Sequence, residues 1–157
     1  MKGYMLALLM VLQASVIFSQ QGSHALSSGD SLSLPKGTAG GFAHHVVIQL
    51  NSGDTAAWRG MLNNIQHLKE TWGNSVIIEV VTHGAGVEIL TKEKTTQWQR
   101  LTDFMHSGVS FVVCMNTMKG RNLSKEAFIP GAGFVPSGIV EVVLKQEQGY
   151  SYLKAGF

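Results

Sequence analysis

The chain has 157 residues, with 12 Lys and Arg against 10 Asp and Glu for a formal charge of +2. That size suits one domain, and so small an excess of charge leaves no clustered basic stripe for nucleic-acid binding. Hydrophobic residues at 45% and charged residues at 14% are enough to bury a full core and argue against a disordered polymer. The single cysteine, Cys114, excludes an intrachain disulfide, a four-cysteine zinc site and an ordinary iron–sulfur ligand set. It leaves thiol chemistry, pairing between chains, or plain burial.

Residues 1–19, MKGYMLALLMVLQASVIFS, place one charge, Lys2, ahead of an apolar run that ends at the small residue Ser19. The run is shorter than the roughly 18 to 20 residues of a spanning helix, so it reads as a signal peptide. The expected location is periplasmic or secreted, with no membrane span once the signal is removed. Residues 20–43 are rich in Ser and Gly and lack an apolar period, the pattern of a flexible leader. The folded domain is expected over 44–157.

Within it, residues 45–50 (HVVIQL) form a short β-branched run between glycine-rich sequence and Asn51-Ser52-Gly53-Asp54, the signals of a buried strand entering a turn. In TAAWRGMLNNIQHLKETW, Trp58, Met61, Leu62, Ile65, Leu68 and Trp72 recur at three- and four-residue steps and line one face of a helix. Asp54 or Ser52 caps it and Gly73 ends it. Residues 75–82 (SVIIEVVT) predict a second strand, apolar on both faces as in a covered parallel sheet, which ends at His83-Gly84-Ala85-Gly86. The spacing of Trp98, Leu101 and Met105 predicts a core-facing helix over 92–106. Residues 109–114 (VSFVVC fragment ending in Cys114) predict a third strand, followed by a helical turn. Residues 129–135 (IPGAGFV) read as a loop. Pro136 suits a first helical position, opening a helix with Ile139, Val140, Val143 and Leu144 on one side; Gly149 ends it before a last strand over 150–154.

Alternating strands and helices imply an α/β layer fold with a largely parallel sheet. Reactive groups in such sheets collect beyond the carboxyl ends of the strands. Three segments should meet there, and they supply the candidate site: Asn51, Ser52 and Gly53 from the first; His83 and Gly84 from the second; Cys114, Asn116 and Thr117 from the third. A helical turn after Cys114 points backbone N–H groups at its sulfur, a setting that lowers a thiol pKa. Lys119 and Arg121 add positive potential if they turn the same way. His83 is the natural base or hydrogen-bond donor beside the thiol. No His-Glu-x-x-His and no paired metal-ligand spacing occur, so no metal is expected. The glycine-rich stretches lack the Lys-Ser/Thr ending of a phosphate-binding loop, and no cofactor is expected.

The succession HHVVIQLNSGD, MLNNIQHLKETWG, SVIIEVVTHGAGVEIL, FVVCMNTM and FVPSGIVEVVLKQEQGYSYLKAG resembles the DsrE/DsrF-like sulfur-relay family over most of the chain beyond residue 44. The resemblance implies a three-layer α/β/α fold and assembly into homo- or hetero-oligomers. In sulfur-relay members it also implies a cysteine that carries sulfur as a persulfide between donor and acceptor proteins, and Cys114 stands where that cysteine is expected. The expected function is therefore an exported persulfide carrier or sulfurtransferase. The alternative, from a different class, is a noncatalytic oligomeric small-ligand-binding protein of the same fold in which Cys114 is simply packed.

Overall fold

A computed structural model describes residues 44–156; the expected signal peptide and leader lie outside them. Five strands, β1 (His44–Leu50), β2 (Val76–Thr82), β3 (Ser110–Cys114), β4 (Gly133–Val135) and β5 (Ser151–Ala155), form one sheet in the order β4-β3-β2-β1-β5. Every pairing is parallel. Four α-helices connect them: α1 (Thr55–Trp72), α2 (Trp98–His106), α3 (Met115–Gly120) and α4 (Gly138–Glu147).

The handedness of crossover connections explains the layers. The chain steps from β1 to β2, β3 and β4 in one direction, so right-handed connections put α1 and its successors on one face. From β4 it returns across the whole sheet to β5, beside β1, and the same rule puts α4 on the opposite face. The sheet is thus covered on both sides, as an all-parallel sheet requires.

The two faces are unequal. Val46, Ile48 and Leu50 of β1, with Ile78, Val80, Phe111 and Val113, pack against Trp58, Met61, Leu62 and Ile65 of α1 and against Ile89, Leu90 and Leu101 in the main core. On the α4 side, the buried apolar cluster is Val47, Val81, Val112 and Val142, with Val135 and Tyr150 partly covered beside it.

Local chemistry sets the ends of α1 as expected. The Asp54 carboxylate accepts from the Ala56 N–H at 2.8 Å, and Gly73 closes the helix at φ +55°, where a side chain would be strained.

Three expectations need correction. The helix expected over 92–106 begins only at Trp98, because the Thr95 hydroxyl accepts from the Gln97 N–H and the Lys92 N–H is drawn to Ala127 O; local hydroxyl bonds of this kind compete with helix. Trp98 consequently lies 43% exposed instead of in the core. The stretch expected as a loop contains β4, a short edge strand that pairs Gly133, Phe134 and Val135 with Val112, Val113 and Cys114. Pro136 precedes the helix: Ser137 is the N-cap and Gly138 the first residue of α4. Ile139, Val140, Val143 and Leu144 do share one side of α4, and that side faces away from the sheet, with all four exposed.

The turn after β2 is clamped to the end of β1. His83 N–H donates to Leu50 O at 3.1 Å, and a Cβ on Gly86 would fall 2.2 Å from Leu50 O, a backbone atom that cannot swing aside. Gly86→Ala is therefore expected to destabilise the fold by about 3 kcal/mol or more, at the upper end of overpacking costs. Urea unfolding of the variant against the wild type measures it.

Candidate functional site

The carboxyl ends of β2 and β3 lie side by side, in register through Thr82 and Val113, so His83 and Cys114 emerge next to each other. Two helices begin at this point. Cys114 is itself the N-cap of α3, and the first residue of α4, Gly138, lies over the gap between the two side chains. A Cβ on Gly138 would lie 3.1 Å from His83 Cβ, 3.2 Å from Cys114 Cβ and 3.3 Å from Val81 Cγ1. A side chain here would press on all three neighbours, and glycine lets the α4 backbone come this close without displacing them.

That approach decides the state of the thiol. Cys114 is 5% exposed, and burial alone pushes its pKa up. Against this, the Gly138 N–H, the Thr117 hydroxyl and the Thr117 and Asn116 N–H groups present their positive ends toward the sulfur, and the net shift is downward from the ordinary thiol value; the Asn116 N–H is shared with Pro136 O at 3.3 Å. Hydrogen bonds to the charged form favour the thiolate. The Thr117 hydroxyl oxygen accepts from the Gly84 N–H at 3.0 Å, which ties the start of α3 to the turn after β2 and leaves the hydroxyl hydrogen free to serve the sulfur.

The basic side chains expected near the sulfur do not account for the shift. Arg121 pairs with Glu88 at 2.7 Å, and the groups that stabilise the thiolate are backbone N–H donors and one hydroxyl. His83 is not a cationic partner either. Burial lowers its pKa, and its ring Nε2 lies 2.8 Å from the Gln49 side-chain amide nitrogen. The Tyr152 hydroxyl occupies the amide oxygen of the same Gln49. With Tyr152 donating to that oxygen, the amide N–H donates to His83 Nε2 and the ring carries its hydrogen on Nδ1. His83 is therefore a neutral, oriented imidazole beside the thiol.

Five of the expected site residues thus come together: His83, Gly84, Cys114, Asn116 and Thr117. Asn51, Ser52 and Gly53 stand one strand further along, where Ser52 serves α1. Its hydroxyl accepts from the Asp54 N–H and its carbonyl from the Trp58 indole N–H. Gly53 abuts the 83–86 turn, since a Cβ there would lie 3.3 Å from Ala85 Cβ. These three residues support the His83 turn, with no polar contact to the sulfur.

Sequence reasoning missed Gly138, Gln49 and Tyr152. Gly138 carried a signal: a glycine in the first turn of an apolar helix costs stability, which is the mark of a close backbone approach. Gln49 and Tyr152 carried none, because their meeting with His83 depends on β5 returning to pair with β1. Among the described residues no group of three or more His, Cys, Asp or Glu could hold a metal ion, and no helix is long and apolar enough to cross a membrane.

A family model described as DsrE/DsrF-like matches residues 45–155. Among solved structures, the chain is similar to the protein of unknown function MTH1491 from Methanobacterium thermoautotrophicum, with 25% identity and a TM-score of 0.68 over 71% of this chain and 98% of that one. None of the curated proteins compared matches.

Thr117→Val removes a donor to the thiolate and strands the Gly84 N–H. The inflection in the pH dependence of Cys114 alkylation is expected to move up by about one unit, a roughly tenfold slower reaction below it. Iodoacetamide rates followed across pH check this, with the rate at high pH unchanged.

Proposed function

The chain belongs to the DsrE/DsrF-like family, and on that premise we propose that it carries sulfane sulfur on Cys114. The observation that supports this reading best is the convergence of two helix starts on Cys114, which is the N-cap of α3 and lies under Gly138 at the start of α4, with the thiol pKa lowered by the N–H and hydroxyl groups there despite burial. A larger thiolate fraction favours sulfur exchange, since the thiolate is the nucleophile.

The chemistry balances without an oxidant. The Cys114 thiolate attacks the outer sulfur of a donor persulfide, R–S–SH; the new S–S bond gives Cys114–S–SH as the old one breaks, and the donor leaves as a thiolate. An acceptor thiolate then attacks the same outer sulfur, and Cys114 departs as the thiolate that the Gly138, Thr117 and Asn116 donors stabilise. The site thus favours Cys114 as nucleophile in the first step and as leaving group in the second. Asn116 and Thr117 orient the sulfur, and neutral His83, whose Nε2 is taken by Gln49, has its Nδ1 hydrogen to offer as a hydrogen bond while the exchange itself moves no proton. Donor and acceptor are other proteins or small thiols, and export places the reaction in the periplasm or outside the cell.

Incubation with a sulfane-sulfur donor should add the mass of one sulfur atom to the wild-type chain and none to Cys114→Ser, read by intact mass spectrometry. Equal uptake by both proteins would sink the proposal.

The burial of Cys114 at 5% exposure favours a second reading, a noncatalytic small-ligand-binding protein with a packed thiol. It predicts a native Cys114 that alkylates only on unfolding.

In either case the exposed side of α4 is proposed as a contact between copies of the chain. Ile139, Val140, Val143 and Leu144, on one side of α4, are each 43% or more exposed, an apolar stripe of the kind that marks interfaces. Val143→Glu is expected to lower the mass of the assembly in light scattering while leaving the secondary structure unchanged.

A further inference from the structure

The helix that brings Gly138 to the sulfur has little apolar grip on the sheet. Of its ten residues, only Gly138 and Val142 are buried, and the apolar cluster beneath it consists of Val47, Val81 and Val112. Glycine offers no side chain to fix a helix in rotation, and a single valine gives α4 little apolar packing with which to set its rotation and height.

The next sheet-facing position is Lys145, seven residues and roughly 10 Å along the axis from Gly138. Its ammonium lies 3.0 Å from Glu79 Oε2 and 3.7 Å from Glu141 Oε1, and 5.1 Å from the centroid of the Tyr150 ring. Glu79 sits mid-strand in β2, the central strand of the sheet, at 9% exposure. Its flanking register partners are Val47 and Ser110, and its second oxygen, Oε1, is buried with no hydrogen-bond partner. Such a carboxylate is costly for stability alone, since well-packed apolar residues commonly do as well or better than a buried ion pair. What a directional pair supplies is a unique placement.

We propose that Glu79–Lys145 is a positioning pair that fixes the rotation and height of α4 on the sheet, and so sets the Gly138 N–H on the Cys114 sulfur. Neither residue touches the reacting atoms. The inference deepens the sulfur-carrying reading and rests on it for its purpose, while its structural content concerns the state of the thiol alone.

The test compares the pH dependence of Cys114 alkylation across variants of the full chain. Lys145→Met is expected to raise the inflection by about one unit, with a roughly tenfold slower reaction below it and an unchanged rate at high pH. Lys145→Arg retains the charge and should restore the wild-type profile. Glu147→Gly weakens the last turn of α4 without touching the pair and should leave the profile in place. Should Lys145→Met fail to fold because it strands Glu79, the double variant Glu79→Leu, Lys145→Met removes both charges and is read in the same way. A profile identical to wild type in Lys145→Met, or in the double variant where the single does not fold, overturns the proposal. So does an equal shift in Glu147→Gly, which would reduce the effect to general loosening of the helix. A wild-type protein with a low thiol pKa that takes up no sulfur would defeat the sulfur-carrying reading and leave this comparison standing.

Discussion

The backbone of α4 reaches Cys114 because residue 138 has no side chain, and the carboxyl end of the sheet is organised around that contact. Three side-chain atoms, on His83, Cys114 and Val81, lie 3.1 to 3.3 Å from where a Cβ would stand. Any larger residue must move the helix or the strands, and the strands are held by parallel ladders on both sides. A few tenths of an ångström of give at the helix would already lengthen the reach from its N–H groups to the sulfur. The return of the chain from one edge of the sheet to the other therefore does more than cover a face. It delivers a second helix start, from the opposite face, to the place where β2 and β3 end and α3 begins.

The result is a thiol stabilised by dipoles instead of charges. A lysine or arginine beside Cys114 would lower its pKa too, but a cation so close would also hold any anionic donor or acceptor that arrives, and would itself need to be desolvated at a largely buried position. Backbone N–H donors come already oriented and carry no net charge to bury. Neutral His83 fits the same scheme: burial keeps the proton off the ring, and Gln49, itself held by Tyr152, sets its orientation. In the proposed sulfur exchange, because nucleophilicity falls as thiol pKa falls, a moderate depression would serve both directions better than an extreme one. The opposition of burial and hydrogen bonding at Cys114 has that effect.

Legibility from sequence followed the locality of the interactions. The β-branched runs and the apolar period of α1 are local signals, and they located β1, α1, β2 and β3 to within a residue or two. The meeting of His83, Gly84, Cys114, Asn116 and Thr117 followed from one topological rule, that parallel strands end together. What escaped notice depends on partners distant in sequence. β4 is three residues including a glycine, a strand only because Val112 to Cys114 offers an open edge. The start of α2 was misjudged because Lys92 bonds to Ala127, 35 positions on, with the local Thr95 hydroxyl bond to Gln97 N–H completing the interruption. Glu79 reads as an interruption in an apolar strand, and only the return of α4 supplies the lysine that explains it.

The division of the core between the two faces ties these features together. The α1 side buries large side chains, among them Trp58, Phe111, Met61 and Leu62, all at 2% exposure or less, and that burial is where most of the hydrophobic stabilisation resides. The α4 side buries four valines and an ion pair. A face that contributes less to stability tolerates a glycine against a strand end, a carboxylate without a full set of partners and a half-buried histidine. Polar groups with directional demands can be placed there because the opposite face already holds the sheet together. The site lies at the carboxyl end of this thinner face, where the placement of one helix, and not the bulk of a core, determines what the sulfur meets.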